Sequence, residues 1–305
     1  MIGSGRRVTM ITTAALIVTA VAACSAGSAT RSTAMPPPAA VSSTATPTAS
    51  IPPSAVSGLP KAFVRAIGVN FGGSAYLATD LGLFRVDQNG AQRIGPALDL
   101  MSLTVVGPDH FYASGRPGAG SRLTDPLGLI ESTDGGKTWH QRSLAGRSDF
   151  VALSSSGPVM FGFDGTVKFS VDAGASWHEK AGISGVLSLA TAPGGDLTVV
   201  ATTSGVIRLT GPGRAAQQVT GAPKLALVSW AALSNVVGVS SDGTVYASGD
   251  AGLTWQQRGT IGGRVQAMTA FADGEGNLEI LAATATALVQ SFDTGGHFAA
   301  FAANG

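Results

Sequence analysis

Beyond residue 60, apolar residues occur in short runs of four to six that are separated by Gly, Asp, Asn or Ser. Segments such as 197–201 (LTVVA) and 243–247 (GTVYA) are bounded by turn-forming residues, and no long segment has the apolar spacing of a helix. Short apolar runs between turn residues are typical of β-strands. The pattern therefore predicts an all-β fold with many short strands.

An eight-residue pattern recurs along this part of the chain. It reads STDGGKTW at 132–139, SVDAGASW at 170–177 and SGDAGLTW at 248–255, with a weaker copy, SFDTGGHF, at 291–298. The final aromatic residues are 38, 78 and 43 residues apart, so the middle interval holds two periods and one copy is missing near 210–214. A further unit precedes the first copy, at 84–90 (FRVDQNG). A period near 40 residues with several strands per unit predicts a β-propeller of about six four-stranded blades.

The predicted blades follow this period. They cover residues 62–98, 99–146, 147–184, 185–222, 223–261 and 262–303, each beginning with its innermost strand. Six blades account for nearly all of the chain after residue 60, and we expect one propeller domain over residues 61–305.

The recurring pattern resembles the Asp-box, or BNR repeat, of other propellers. The Asp carboxylate can accept hydrogen bonds from the turn, the Gly supplies a positive φ, and the Trp begins the next strand with a large buried ring. Repeated turns lie around the rim of a propeller, whereas catalytic groups must converge on one substrate. We therefore expect a structural role for the Asp-box residues, which are Asp134, Trp139, Asp172, Trp177, Asp250, Trp255 and Asp293.

The amino terminus has a different composition. Two arginines, Arg6 and Arg7, precede an apolar run that ends in VAAC at 21–24. A basic segment, an apolar segment and small residues before a cleavage point predict a signal peptide over 1–23, with an uncleaved anchor helix as the alternative. The sequence around Cys24 resembles the bacterial lipobox, which implies a lipid on this cysteine and attachment to the outer face of the cell membrane. Residues 24–60 are rich in Ser, Thr, Ala and Pro, which predicts an extended tether.

Charge excludes one class of partner. Three of the 19 Lys and Arg residues precede residue 60, which leaves 16 against 18 acidic residues in the predicted propeller. No basic cluster is present there, so we expect no nucleic-acid binding. The four histidines lack the spacing of metal ligands, so we expect no metal and no other cofactor. We also expect the protein to be a monomer.

Blades one to three resemble a group of bacterial BNR-repeat lipoproteins that are described as sialidase-like or glycosyl-hydrolase-like. The likeness lies in 78–86 (ATDLGLFRV), 104–111 (TVVGPDHF) and 127–139 (LGLIESTDGGKTW). Relatives tend to place histidines facing the channel, where this chain has FVRA at 63–66 and SGRPG at 114–118. The resemblance implies a propeller whose ligands bind at the channel mouth, without a histidine metal site.

Candidates for catalysis are few. A sialidase needs three arginines around the substrate carboxylate and a Tyr nucleophile, and the sequence contains no motif that indicates them. Other glycosidases need two convergent carboxylates. Acidic residues expected on the mouth side are Asp80, Asp125, Asp149, Asp164 and Asp242. The Asp-Gly pairs at 164–165 and 242–243 are also typical of hairpin turns. Among these residues we single out Asp149, Asp164 and Asp80 as candidate catalytic carboxylates.

One insertion, GRPGAGSRLTDP at 115–126, interrupts the repeat in blade two. It joins the second and third strands of the blade, so we expect it to overhang the channel mouth, where long loops are often functional. The candidate ligand-binding residues are Arg65, Arg116, Arg122 and Asp125, with Arg264 nearby. Two functions remain open: a tethered module that binds a protein, a glycan or a small anion at its mouth, and a divergent exo-acting glycoside hydrolase.

Overall fold

A computed structural model of the chain describes residue 59 and residues 61–70, 73–87, 90–211, 214–273 and 276–301. The chain divides into two units, Met1–Ser50 and Ile51–Gly305, and all described residues belong to the second. They form 24 β-strands in six four-stranded antiparallel sheets. The predicted signal peptide, Cys24 and nearly all of the predicted tether lie outside the described residues.

The strands are numbered in chain order. Blade one contains β1 (Val64–Val69), β2 (Ala75–Thr79), β3 (Gly82–Asp87) and β4 (Gly90–Ile94). Blade two contains β5 (Asp99–Val105), β6 (Phe111–Arg116), β7 (Leu129–Ser132) and β8 (His140–Ser143). Blade three contains β9 (Ala152–Ser156), β10 (Val159–Phe163), β11 (Val167–Ser170) and β12 (His178–Lys180). Blade four contains β13 (Val186–Thr191), β14 (Leu197–Thr202), β15 (Gly205–Thr210) and β16 (Ala216–Gln218). Blade five contains β17 (Leu227–Ala232), β18 (Asn235–Val239), β19 (Thr244–Ser248) and β20 (Gln256–Thr260). Blade six contains β21 (Val265–Ala272), β22 (Leu278–Thr284), β23 (Leu288–Ser291) and β24 (Ala299–Ala300).

Every sheet is built from four consecutive strands in chain order. The first strands, β1, β5, β9, β13, β17 and β21, contact one another around a ring, which closes between β21 and β1. This is a six-bladed β-propeller, and each predicted blade range contains one complete sheet. The predicted fold is confirmed.

Burial explains why the second strands are so apolar. All six residues of β14 and all five of β2 are buried, because both faces of these strands are covered by neighbouring blades. The fourth strands lie at the rim, and His140 and His178 there are exposed. Most core residues belong to clusters shared between adjacent blades, so the apolar contacts hold blade against blade.

The antiparallel order separates two faces of the propeller. The connections between blades and the turns from second to third strands lie on one face, which we call the mouth face. The turns from first to second and from third to fourth strands lie on the other, which we call the Asp-box face because the repeated motif joins third to fourth strands.

Polar contacts also link the inner strands around the ring. Ser102 Oγ donates to Phe150 O at 2.7 Å, and the hydroxyls of three other serines accept from the backbone of the next blade. At the seam between blades six and one, Val64 N donates to Gln266 Oε1 at 3.1 Å. Leu59, inside the predicted tether, packs against the apolar cluster at the same seam.

Candidate functional site

The Asp-box aspartates are held by hydrogen bonds within their own turns. In blade two, Asp134 Oδ1 accepts from Thr138 N at 2.9 Å and Oδ2 accepts from Thr138 Oγ1 at 2.6 Å. Ser132 Oγ donates to Asp134 Oδ1 at 2.9 Å and accepts from Gly136 N at 2.8 Å. The same arrangement recurs around Asp172, Asp250 and Asp293.

These bonds stabilise the charged form of each carboxylate. The hydrogen bonds from the Thr138 side chain and backbone lower the pKa of Asp134 to about 2. Burial raises the pKa of Asp250, but the bonds from Thr254 and Ser248 outweigh it and bring the pKa to about 2. A carboxylate in this state cannot act as a general acid near neutral pH.

The aromatic residue that ends each Asp-box packs against the preceding blade. Trp139 lies in the cluster that includes Leu83 of blade one, and the Trp177 ring lies 4.7 Å from that of Phe150. Trp255 and Phe298 occupy the corresponding places against blades four and five. The turns and their aromatics therefore join neighbouring blades.

The fourth copy contains a substitution whose role the sequence did not indicate. His297 stands where the other copies have Thr or Ser, and its Nδ1 lies 2.6 Å from Asp293 Oδ2. The imidazole thus takes the place of the hydroxyl donor. The sequence feature that could have indicated this role is the position of His297, which is the fourth residue after the Asp of the repeat.

On the mouth face, the aspartates at the turns from second to third strands are engaged separately, and two of them, Asp80 and Asp164, are candidate catalytic carboxylates. Asp80 Oδ1 accepts from Phe63 N at 3.0 Å. Asp164 lies between Lys168 Nζ, 2.5 Å from its Oδ1, and Ser148 Oγ, which donates to its Oδ2 at 2.6 Å. Burial raises the pKa of Asp164, but Lys168 and Ser148 outweigh it and lower the pKa overall. Asp242 accepts from Ser240 Oγ and Thr244 N within its hairpin turn.

Two of the candidate arginines, Arg65 and Arg116, are already paired with aspartates. Arg116 Nε donates to Asp149 Oδ2 at 2.9 Å, and Arg65 Nη2 lies 3.3 Å from Asp99 Oδ1. Asp99 also stands opposite Arg116 in the register of β5 and β6. The hydrogen bond with Asp149 is the main cause that raises the pKa of Arg116.

These four side chains, Arg65, Asp99, Arg116 and Asp149, form an alternating row of charges at the inner ends of blades one to three, which we call the mouth row. Sequence reasoning missed Asp99. The sequence feature that could have indicated it is an acidic residue at the start of β5, the inner strand next to that of Arg65.

The mouth row is partly accessible to solvent. Arg116 is its most accessible member, with 60% of its side chain exposed, and the Asp99 side chain is 33% exposed. A ligand at this place would meet a guanidinium donor and a carboxylate acceptor.

The insertion of blade two lies on the mouth face but packs over its own blade. Gly118 lies so close to Ala97 O that a Cβ there would be 1.8 Å from it, and Gly146 N donates to Pro126 O at 2.7 Å. Its Arg122 and Asp125 are exposed. No residue of the insertion lines the central channel.

The channel itself is lined by the inner strands. Its cavity has a volume of about 320 Å³. Serine and threonine hydroxyls of the inner strands line it, and several of these already bond to the next blade. Within the described part of the chain, no group of three or more His, Cys, Asp or Glu residues could hold a metal ion. In the same part, no helix is long and apolar enough to cross a membrane.

Comparison with known proteins finds a similar fold in solved structures of low sequence identity. No family model matches the chain, and no curated protein matches it either. Among solved structures, an ancestral GH74 enzyme superposes with a TM-score of 0.50 at 14% identity, covering 78% of this chain and 36% of the enzyme. YCF48 bound to D1 peptide gives 0.52 at 14% identity, covering 80% and 82% of the two chains. The extracellular domain of BT4673, described as a two-component system of B. thetaiotaomicron, gives 0.52 at 12% identity, covering 80% and 33%.

The chain thus spans about a third of the GH74 and BT4673 chains and most of YCF48. It is a six-bladed propeller of the Asp-box type, similar in structure to all three. At these identities the similarity establishes the fold alone.

Proposed function

We propose that the protein is a binding module that holds a glycan at the mouth row. The observation that supports this most is the alternation of Arg65, Asp99, Arg116 and Asp149, whose side chains are between 17% and 60% exposed and so present both signs of charge to solvent. Because each guanidinium already faces a carboxylate, the row favours a neutral ligand over a small anion. Sugar hydroxyls both donate and accept, so they can satisfy such a row.

Hydrolysis is less well supported than binding. A glycosidase needs one carboxyl group that stays protonated to act as general acid and a second carboxylate beside it. Asp164 is held in its charged form by Lys168, and Asp80 accepts a backbone hydrogen bond that fixes the start of β1. Asp149 is paired with Arg116.

The place of action is part of the proposal. A lipid on Cys24 and a tether over 24–60 would keep the propeller at the outer face of the cell membrane, as the lipobox-like sequence suggests. Replacing Cys24 by Ala should release the protein from membranes into the soluble fraction. Continued membrane association of this variant would contradict lipid attachment.

A glycan array tests the binding function. We expect the protein to be retained by a subset of glycans, and Asp149→Asn and Arg116→Gln to weaken that retention about tenfold each, because each leaves its partner unpaired. Asp196→Asn, an exposed aspartate on the Asp-box face, is the matched control and should bind as the wild type does.

The same variants separate binding from catalysis. On a panel of chromogenic glycosides we expect no turnover. Turnover that is lost in Asp149→Ala or Asp164→Ala would instead establish the hydrolase. Absence of both retention and turnover would contradict the proposal.

A further inference from the structure

The seam between blades six and one differs from the other blade interfaces. At four interfaces an Asp-box of the following blade contributes an aromatic ring, as Trp139, Trp177, Trp255 and Phe298 do. Blade one has no such motif, since β3 ends at Asp87 and β4 begins at Gly90, with Ala91 and Gln92 next. No ring from an Asp-box is therefore available to pack against blade six.

Blade four also lacks the motif, but its interface is filled in another way. Phe161, Phe163 and Phe169 of blade three pack there with Leu209. At the seam, the apolar cluster contains Phe84, Phe271 and Phe301. A cavity of about 600 Å³ nevertheless opens beside Phe271 and Phe301.

This cavity, which we call the seam groove, is lined by apolar and acidic side chains. Most of its apolar lining comes from blade six, with single valines and an alanine from blades one, two and five: Phe271, Ile280, Leu281, Phe292, Phe301, Val69, Val105 and Ala231. Phe292 is 58% exposed, so the groove is accessible from solvent.

Glu279 and Asp273 also line the groove. The carboxylate of Asp273 accepts hydrogen bonds from the backbone and side chain of Asn277. Burial and the neighbouring Asp273 both raise the pKa of Glu279, so a positive charge placed here would relieve an unfavourable arrangement.

We propose that the seam groove binds an aromatic ring that carries a positive charge, an aryl-alkyl ammonium group. The ring would lie against Phe271, Phe292 and Phe301. The ammonium would face Glu279 and Asp273. The volume is within the range of small-molecule sites, and aromatic walls favour both stacking and cation–π contacts. The site is separate from the mouth row, which belongs to the opposite face.

Calorimetric titration of the full chain at pH 7 with three indoles of similar size tests the groove. Tryptamine is a cation, tryptophol is neutral and indole-3-acetate is an anion. We expect tryptamine to bind about tenfold more tightly than indole-3-acetate, with tryptophol between them. Equal affinity for all three, or no binding of tryptamine, would overturn the proposal.

Variants locate the binding. Phe292→Ser removes an exposed wall, so folding should be unaffected, and tryptamine affinity should fall at least threefold. Gln290→Trp places a ring in the groove and should abolish tryptamine binding, while Glu279→Gln should remove the preference for the cation over tryptophol. Glu179→Gln, an exposed glutamate on β12, and Arg116→Gln in the mouth row are controls that should not change it. Unchanged affinity in Phe292→Ser and Gln290→Trp together would place the binding elsewhere and overturn the assignment.

A short blocked peptide, Gly-Trp-Lys-Gly, distinguishes the source of the ligand. Binding of both the peptide and tryptamine would identify a segment of a partner protein as an occupant. Binding of tryptamine alone would identify a small molecule. Both outcomes support the groove, and failure of both ligands overturns it.

Discussion

The Asp-box aspartates and two aspartates of the mouth face, Asp80 and Asp149, are held in opposite ways. On the Asp-box face, the carboxylates of Asp134, Asp172, Asp250 and Asp293 accept hydrogen bonds within their own turns, from residues two to four positions away. On the mouth face, Asp149 bonds to a residue 33 positions away and Asp80 to one 17 positions away. The hydrogen bonds of the Asp-box aspartates stabilise a local turn and recur from blade to blade. Those of Asp80 and Asp149 occur once each and join segments that are distant in the sequence.

Acid should have the largest effect on stability, because it titrates all four Asp-box carboxylates together. Their folded-state pKa values are depressed, to about 2 for Asp134 and Asp250, from a normal value near 3.8. The stabilisation is therefore complete above about pH 4 and is lost as the pH falls towards 2. Urea midpoints measured from pH 5 to pH 2 should drop steeply in this window, and a flat profile would contradict the local hydrogen bonds.

Trp177→Ala should give the next largest effect. The ring packs between blades two and three, and its Nε1 lies 3.1 Å from both Ser143 Oγ and Gly174 O. We expect a loss of about 3 kcal/mol in the free energy of unfolding, measured by urea titration. Trp177→Phe keeps a ring and should lose much less. Equal losses in the two variants would show that the ring does not fill the interface.

Asp250→Ala tests one turn alone. Removal of the carboxylate leaves Thr254 N and Ser248 Oγ without their acceptor, which should cost about 1 to 2 kcal/mol in the free energy of unfolding. Asp196→Ala, on the same face but exposed, should change the urea midpoint by no more than about 0.5 kcal/mol. Similar values for the two variants would remove the distinction between the Asp-box aspartates and ordinary surface ones.

The smallest effect concerns the residue after the Asp. Thr294 has φ +61° and Ala173 and Ala251 have similar values, whereas blade two has Gly135 at this place. A β-branched residue is strained there, so Thr294→Gly should raise the free energy of unfolding by roughly 0.5 to 1 kcal/mol. Gly135→Ala should lower it by about as much, since its Cβ would also lie 3.0 Å from Asp109 Oδ1. Thermal melting of both variants checks the opposite signs.

The sequence could predict features that depend on local contacts but not those that depend on contacts between distant residues. The blade count depends on turns such as 132–139 and 248–255, whose contacts are local, so their spacing was sufficient. The hairpin at Asp242 was readable for the same reason. The pairing of Arg65 with Asp99 could not be predicted, because it depends on how two adjacent blades meet. The seam groove could not be predicted either, because it combines residues from early and late parts of the chain.

The seam has a consequence for how the molecule assembles. Each sheet comes from one continuous stretch of chain, but Val64 and Gln266, which bond across the seam, are 202 residues apart. Local hairpins form long before such distant segments meet, because closing a long loop carries an entropic cost and is slow. We expect blades one and six to come together last. Until then, the apolar residues around Leu77 and Leu281 would be open to solvent, and partly folded chains would be able to join one another through the same surfaces that later complete the ring.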